Sequence, residues 1–386
     1  MYLDFLTPIE EAVVTHIEMH SSLCLGNSVQ LYTSLEDFPD LKGVNIAIFG
    51  VKEDRNAMNN KGCGYDLQYI RKKFYELFPG NWQTEIADLG NVEKGSDVSD
   101  TYFAVKEIIT SLVKKNIIPV ILGGSQDLTY VNYRAYDLLE QSVNITSVDR
   151  RFDLGNLEDE LTSHSYLSKI IMEQPNNLFN YCNVGYQTYF NSQEEIKLLG
   201  NLYFDAYRLG EAKELENVEP AFRNADIVSI DIGAVRQSEA PGNSNASANG
   251  FYGEELCALA RYAGLSDKVS SFGIYEYNVL LDKQQQTASL IAQTIWYFIE
   301  GVNNRVKDYP FSGKENYQKF SVLLENDEPL IFFKSNKTGR WWLALKILTN
   351  NKYKRHALIP CTYNDYTEAL QQKIPEKWYK AMQKLV

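Results

Sequence analysis

Six short apolar runs recur along the chain, and each stops at a glycine or a carboxylate. They occupy 45–49 ahead of Gly50, 117–122 ahead of Gly123 and Gly124, 143–148 ahead of Asp149, 181–184 ahead of Gly185, 227–230 ahead of Asp231, and 269–275 ahead of Glu276. Runs of that length, bounded by turn formers, read as buried strands. Segments with helical spacing lie between them. In 100–116, Phe103, Ile108, Leu112 and Val113 share one face behind an Asp100 cap. In 285–302, Leu290, Ile291, Ile295, Trp296 and Ile299 do the same. Repeated strand–helix units predict an α/β fold of three layers, a mostly parallel sheet covered by helices on both faces. In such sheets ligands bind beyond the carboxyl ends of the strands. The polar residues that end the runs therefore point to one shared site.

After residue 303 the pattern changes. Residues 330–333, a turn at 335–339 containing Gly339, and 341–347 read as a hairpin. Asn364 or Asp365 then caps a helix through Leu370, and Pro375 starts a shorter one with Trp378 and Met382 inward. Charge shifts at the same place. The 386 residues carry a net charge of −12, but 303–386 hold 15 Lys and Arg against 8 Asp and Glu, which leaves −19 on the rest. The expected organisation is an extension over 1–41, an α/β domain over 42–303, and a small α+β extension over 304–386 that is basic and aromatic-rich. In that last segment Phe332, Phe333, Trp341, Trp342 and Tyr353 interleave with Lys334, Lys337, Arg340, Lys352, Lys354 and Arg355. Such interleaving can bind single-stranded nucleic acid or an acidic partner. An alternating hairpin more often packs its aromatic face inward and snorkels its cations outward, and the net acidity argues against nucleic acid.

The remaining composition excludes other classes. Five cysteines, widely spaced and without a CxxC pair, fit a reducing compartment rather than a disulfide framework or a zinc ribbon. No basic leader precedes an apolar stretch, and no run is long enough to span a bilayer, so a cytoplasmic protein is expected. No G-x-S-x-G elbow, Walker A loop or G-x-G-x-x-G fingerprint occurs. His16 and His20 are spaced i,i+4 on a helical pattern, but without an HExxH arrangement they read as exposed helix residues.

Three strings carry the chemistry: GGSQDLT at 123–129, SVDRRFD at 147–153 and SIDIGAV at 229–235. They resemble the metal-binding signatures of the arginase/agmatinase/formimidoylglutamase family, the ureohydrolases. That pattern reads roughly GGDHS, DAHxD and SxDxD, and its two histidines and four aspartates hold a pair of manganese ions. The resemblance extends over about 42–303, through KGCGYDLQYIRKKF at 61–74, IADLGNV at 86–92, APG at 240–242, NGFYGEE at 249–255 and GIYEYNVLLDKQQQTASLIAQ at 273–293. It implies an arginase-like three-layer fold, bridging carboxylates at Asp149 and Asp231, and a substrate-cation role for Glu276. It also implies one ion completed by Asp153 and by the His position now held by Gln126. The other ion would need the His position now held by Arg151 and the Asp position now held by Gly233. A further departure is Phe251, which replaces the second glycine of the family's pair.

Three of six implied ligands are thus replaced, and the expected function is a catalytically impaired formimidoylglutamase homologue acting in binding or scaffolding. The alternative is a hydrolase of formimidoylglutamate or another linear amidine or guanidine, using at most one Mn2+ per chain held by Asp149, Asp153, Asp231 and Gln126. Arg151 is expected to replace the missing ion electrostatically, since clustered carboxylates repel one another without a cation. His164 reads as a surface or capping histidine. The expected partners are further copies of the chain, an amidine or guanidino small molecule, and a protein docking on 304–386.

Overall fold

A computed structural model of the chain describes residues 2–139, 141–155, 160–308, 314–325, 329–345 and 357–385. Its centre is a nine-stranded sheet of β1 (Gln30–Leu31), β2 (Ile46–Val51), β3 (Ile86–Val92), β4 (Ile118–Leu122), β5 (Val143–Val148), β6 (Leu178–Tyr186), β7 (Asp205–Arg208), β8 (Ile227–Asp231) and β9 (Ser271–Tyr275). The spatial order is β1-β3-β2-β4-β9-β8-β5-β6-β7, and neighbouring strands pair in parallel. The helices are α1 (Glu11–Glu18), α2 (Gln68–Tyr75), α3 (Val98–Lys114), α4 (Leu128–Arg134), α5 (Tyr166–Met172), α6 (Gln193–Asn201), α7 (Leu209–Ala212), α8 (Leu215–Asn224), α9 (Gly253–Leu265) and α10 (Gln286–Asn303).

Strand alternation sorts the core into two layers. Ile46, Ile48, Val120 and Leu122 face one side, where α1, α2 and α7 to α10 cover them. Ala47, Phe49, Ile121 and Ile145 face the other, under α3 to α6. Strands buried on both faces are mostly apolar, which is why the runs were nearly continuous in sequence. Among the described residues, no helix is long and apolar enough to cross a membrane.

Two local expectations are corrected. The cap of α3 is Asp97, and Asp100 is the third helical residue, closing a capping box by accepting from the Asp97 amide at 2.9 Å. Phe103 turns outward with 55% of its surface exposed and meets the Phe5 ring edge-on at 5.9 Å. The buried face of α3 is built instead on Val105, Ile108, Ile109 and Leu112.

The last segment forms an antiparallel sheet of β10 (Tyr317–Leu323), β11 (Pro329–Ser335), β12 (Trp341–Ala344) and β13 (Leu358–Cys361), followed by α11 (Tyr363–Leu370) and α12 (Glu376–Gln383). Thr362, not Asn364 or Asp365, caps α11. Phe332, Phe333, Trp341 and Trp342 are buried within this module. Tyr353, Lys352, Lys354 and Arg355 lie outside the described residues. The module docks on α8. Arg223 donates to the carbonyls of Trp341 at 2.9 Å and Cys361 at 3.0 Å, and its guanidinium lies 4.7 Å from the Trp342 ring. Lys380 pairs with Asp205 on β7 at 3.3 Å and Arg340 with Glu219 on α8 at 3.3 Å, so part of the module's basic charge is spent on the acidic domain beneath it.

Candidate metal and ligand centre

The central neighbours β4, β9, β8 and β5 deliver the residues singled out in sequence to one edge. Gln126 follows β4, Glu276 follows β9, Asp231 ends β8, and Asp149 follows β5, with Asp153 four residues further. Gly123 and Gly124 make the tight exit from β4 at φ of +73° and +74°. A Cβ on either would lie 2.3 Å from Leu67 or Leu128, so only glycine fits there.

Two non-glycine residues also hold left-handed backbone, Asp153 at φ +52° and Glu276 at φ +67°. Such conformations cost on the order of 1–3 kcal/mol each and persist where the surroundings hold them. The Glu276 amide donates to the Gly124 carbonyl at 2.9 Å, and the Asp153 carbonyl accepts from the Leu167 amide at 3.2 Å. The Glu276 carboxylate accepts from the Gln126 amide at 2.9 Å and from Asn60 Nδ2 at 2.7 Å. Asn243 Nδ2 donates to the Glu276 carbonyl at 3.2 Å. Asn60 and Asn243 had no signal in sequence, because each is recruited by a loop far from the strand it serves.

Electrostatics dominates this edge. Burial pushes the Asp149 carboxyl up, and burial followed by the charge of Asp149 pushes Asp153 well above the carboxylate range. Burial and then Asp149 raise Asp231 to about 7. Burial and then Asp231 raise Glu276 well above its ordinary value. Asp127, within the first motif but not singled out in sequence, is lifted by burial to about 6.

Arg151 acts on the carboxylates through its backbone and its charge rather than through an ion pair. Its backbone amide, not its guanidinium, donates to Asp149 Oδ1 at 2.8 Å. The guanidinium turns to Phe190, with Nη1 3.5 Å from that residue's carbonyl and the charge 5.5 Å from its ring. Arg150 lies over the same ring at 4.5 Å. Among the described residues no ion pair joins Arg151 to the carboxylates; the Arg151 amide lowers Asp149 through its hydrogen bond, and the charges of both arginines lower Asp149 and Asp231 through their field. His164 is half-buried rather than on the surface, and burial followed by Arg151 and Arg150 pushes its imidazole down to about 4.

Gly233 contributes only its amide, which donates to Asp231 Oδ1 at 2.6 Å. A Cβ there would stand 3.3 Å from Asn243 Nδ2, so the space is partly taken. Phe251 is fully buried, and its ring would lie 2.5 Å from a Cβ on Gly185 at the end of β6.

Among the buried side-chain oxygens without a hydrogen-bond partner are Gln126 Oε1, Asp149 Oδ2 and Asp153 Oδ1, with Ser125 Oγ and Asp127 Oδ1 from the same first motif. The Gln126 amide nitrogen is engaged with Ser229 Oγ at 2.9 Å, which leaves that oxygen free to accept. Hard oxygen donors without partners are the chemistry that a divalent cation of the manganese class satisfies. Gln126, Asp149 and Asp153 supply donors of that kind on one edge. Arg151 and Gly233 bring no carboxylate or imidazole to the edge, and although Asp149 and Asp153 lie in side-chain contact, Asp149, Asp153 and Asp231 do not form a set of oxygens that all lie within 4.8 Å of one another.

The arginase family model matches residues 44–300. The formimidoylglutamase of Staphylococcus epidermidis is 27% identical over 272 residues, covering 67% of this chain and 86% of that protein. The manganese-bound formiminoglutamase of Trypanosoma cruzi superposes with a TM-score of 0.63 at 17% identity, over 69% of this chain and 96% of its own. The Bacillus subtilis formimidoylglutamase superposes at 0.63 with 18% identity, over 71% and 93%. At that identity the superpositions establish the fold, and the match to the family model adds descent.

Proposed function

Because the chain belongs to the arginase family, we propose that it is a member that has lost two-metal hydrolysis and retains its centre as a binding site for a single cation or a cationic amidine or guanidine. The observation that carries this reading is the position of Arg151. It holds the place of an imidazole ligand, yet its guanidinium stacks toward Phe190 and its Nε is buried without a partner. A second ion at that side would meet a fixed positive charge where the family supplies a neutral donor. Meanwhile Glu276 remains anchored by Gln126 and Asn60, so a cationic ligand still has a carboxylate to meet. Scaffolding through a homo-oligomer, or through a protein docked on 304–386, is compatible with such a role.

A second reading has its own support in the three unpartnered oxygens of Gln126, Asp149 and Asp153. In that case Asp149, Asp153, Asp231 and Gln126 would hold one Mn2+, which when bound supplies Lewis acidity and an acidified water. The chain's own part would be to orient a linear amidine such as formimidoylglutamate through Glu276.

One experiment separates the two. The protein is incubated with excess manganese and desalted, its metal content is measured, and formimidoylglutamate and agmatine hydrolysis are assayed under saturating manganese. The binding reading expects no turnover, and turnover that disappears in Asp149→Asn would overturn it in favour of the single-metal hydrolase.

A further inference from the structure

A different part of the molecule gathers metal-binding side chains. His16 lies on α1 and His20 just past its end, with ring centroids 4.3 Å apart. Sequence spacing offered this pair no carboxylate. The fold supplies one: Glu76, at the end of α2, sets Oε1 2.9 Å from His16 Nε2. His20 turns back along the helix, and its Nδ1 meets the His16 carbonyl at 2.7 Å. That bond fixes Nδ1 as the donor and leaves Nε2 with a free lone pair. Imidazoles that bind metals are commonly oriented through a backbone carbonyl on their other nitrogen. Among the described residues, this is the one group of three His, Cys, Asp or Glu whose donor atoms all lie within 4.8 Å of one another.

A helix-to-helix hydrogen bond accounts for His16 and Glu76 without an ion. It does not account for His20, an exposed side chain folded back against the His16 ring, with a ligand nitrogen within 4.8 Å of those of the other two residues. We propose that His16, His20 and Glu76 form a site for a borderline divalent transition ion, of which Zn2+ is the probe, clamping the N-terminal helix onto α2. Two imidazoles and a carboxylate suit Zn2+, with water completing the shell from the open side. The ion would take the place of the proton now shared between His16 and Glu76. The nearest competing cation is Lys73, 3.4 Å from either Glu76 oxygen, and its partly exposed side chain can swing into solvent. Lys72 is held aside by Gln68 at 2.8 Å. Glu76 also lines an open groove with Glu239 and Glu254, so a hydrated cation has an acidic approach, with Lys73 and Arg261 as its basic rim.

The test uses the full chain, stripped with EDTA and desalted, titrated with Zn2+ by calorimetry. His20 can be removed without disturbing the core, so His20→Ala tests the ligand alone, and Glu76→Gln tests the carboxylate while keeping its shape. Asp149→Asn serves as a control for binding at the carboxylate centre. We expect one Zn2+ per chain retained in Asp149→Asn and weakened at least about tenfold in both His20→Ala and Glu76→Gln. At a fixed zinc concentration near the wild-type Kd, zinc should raise the melting temperature of the wild type more than that of His20→Ala. Absence of zinc binding, or binding unchanged in either ligand variant, would overturn the assignment.

Discussion

The Asp231→Asn variant tests the electrostatics of the carboxylate edge most directly. Asn keeps the side-chain oxygen that accepts from the Gly233 amide at 2.6 Å, and it removes only the ionisable proton. The folded-state value of Asp231 is raised from 3.8 to about 7 by burial and by Asp149. For a carboxyl so raised, the folded state binds more protons than the unfolded state between those two values. Stability is therefore highest at low pH and falls as pH rises through about 7. One pKa unit is worth about 1.4 kcal/mol, so the penalty grows to about 4 kcal/mol above pH 7, and partial exposure of Asp231 trims it to roughly 2–4 kcal/mol. The variant escapes that penalty. In urea denaturation with a chelator present, Asp231→Asn should exceed the wild type by that margin at pH 8, and the gap should close near pH 4. Excess manganese should narrow the gap at pH 8 by giving the wild-type carboxylate a cation. Equal destabilisation of the variant at pH 4 and pH 8 would show that a fixed partner already neutralises Asp231, and the reasoning would fail.

Two further perturbations probe what surrounds that edge. Arg151→Ala removes a field that lowers Asp149, Asp153 and Asp231 together, so stability at pH 8 should fall by roughly 1 kcal/mol and return below pH 4, where the carboxyls are neutral in both states; an unchanged pH–stability profile would refute it. Arg223→Ala strands the carbonyls of Trp341 and Cys361 beneath the C-terminal module, at a cost of about 3 kcal/mol, and should speed proteolysis after residue 303; unaltered protection of the module would count against docking through Arg223.

The central sheet was legible because its strands are buried on both faces and are mostly apolar between turn formers, with only small or amide polar residues such as Ser147, Ser229 and Asn183 among them. The strands that sequence reading passed over are those where that condition fails. β7, Asp205–Arg208, is an edge strand with a half-exposed pattern, and β1 is only two residues long. β3 is fully buried but carries Asp88 and Asn91, which accept from the buried Arg71 at 2.7 Å each. The candidate site was legible to the same depth. Residues at strand ends converge because the strands do, so Gln126, Asp149, Asp231 and Glu276 could be read together. Direction could not. The identity of Arg151 announced a charge beside Asp149, but the aromatic face of Phe190, on a different loop, decides where that charge rests. The trio of His16, His20 and Glu76 was hidden for a related reason, since Glu76 lies 60 residues from His16 and only the packing of α1 on α2 joins them.

The departures from the family pattern are also not scattered across the edge. On the β4 and β9 side, Gln126 still reaches Glu276 through its amide at 2.9 Å, and Asn60 and Asn243 secure the left-handed turn that carries it. On the β5, β8 and β6 side the changes accumulate. Arg151 leans away on Phe190, Gly233 has lost any side chain and faces Asn243, and Phe251 fills the space against Gly185. Each change alone would weaken one ligand contact. Together they put an arginine, an amide and a phenyl ring on that side of the edge, each settled against its own neighbour, Phe190, Asn243 or Gly185. A single substitution at 126 therefore could not rebuild a two-ion centre, because the obstruction lies across the edge from it. The edge keeps a buried Glu276 engaged by Gln126 and Asn60 on the β4 and β9 side, and across from it buried carboxyls at Asp149 and Asp153 with oxygens short of hydrogen-bond partners. Carboxyls in that condition either hold their protons or hold a positive ligand, and which of the two occurs at neutral pH separates a binding site from a relic.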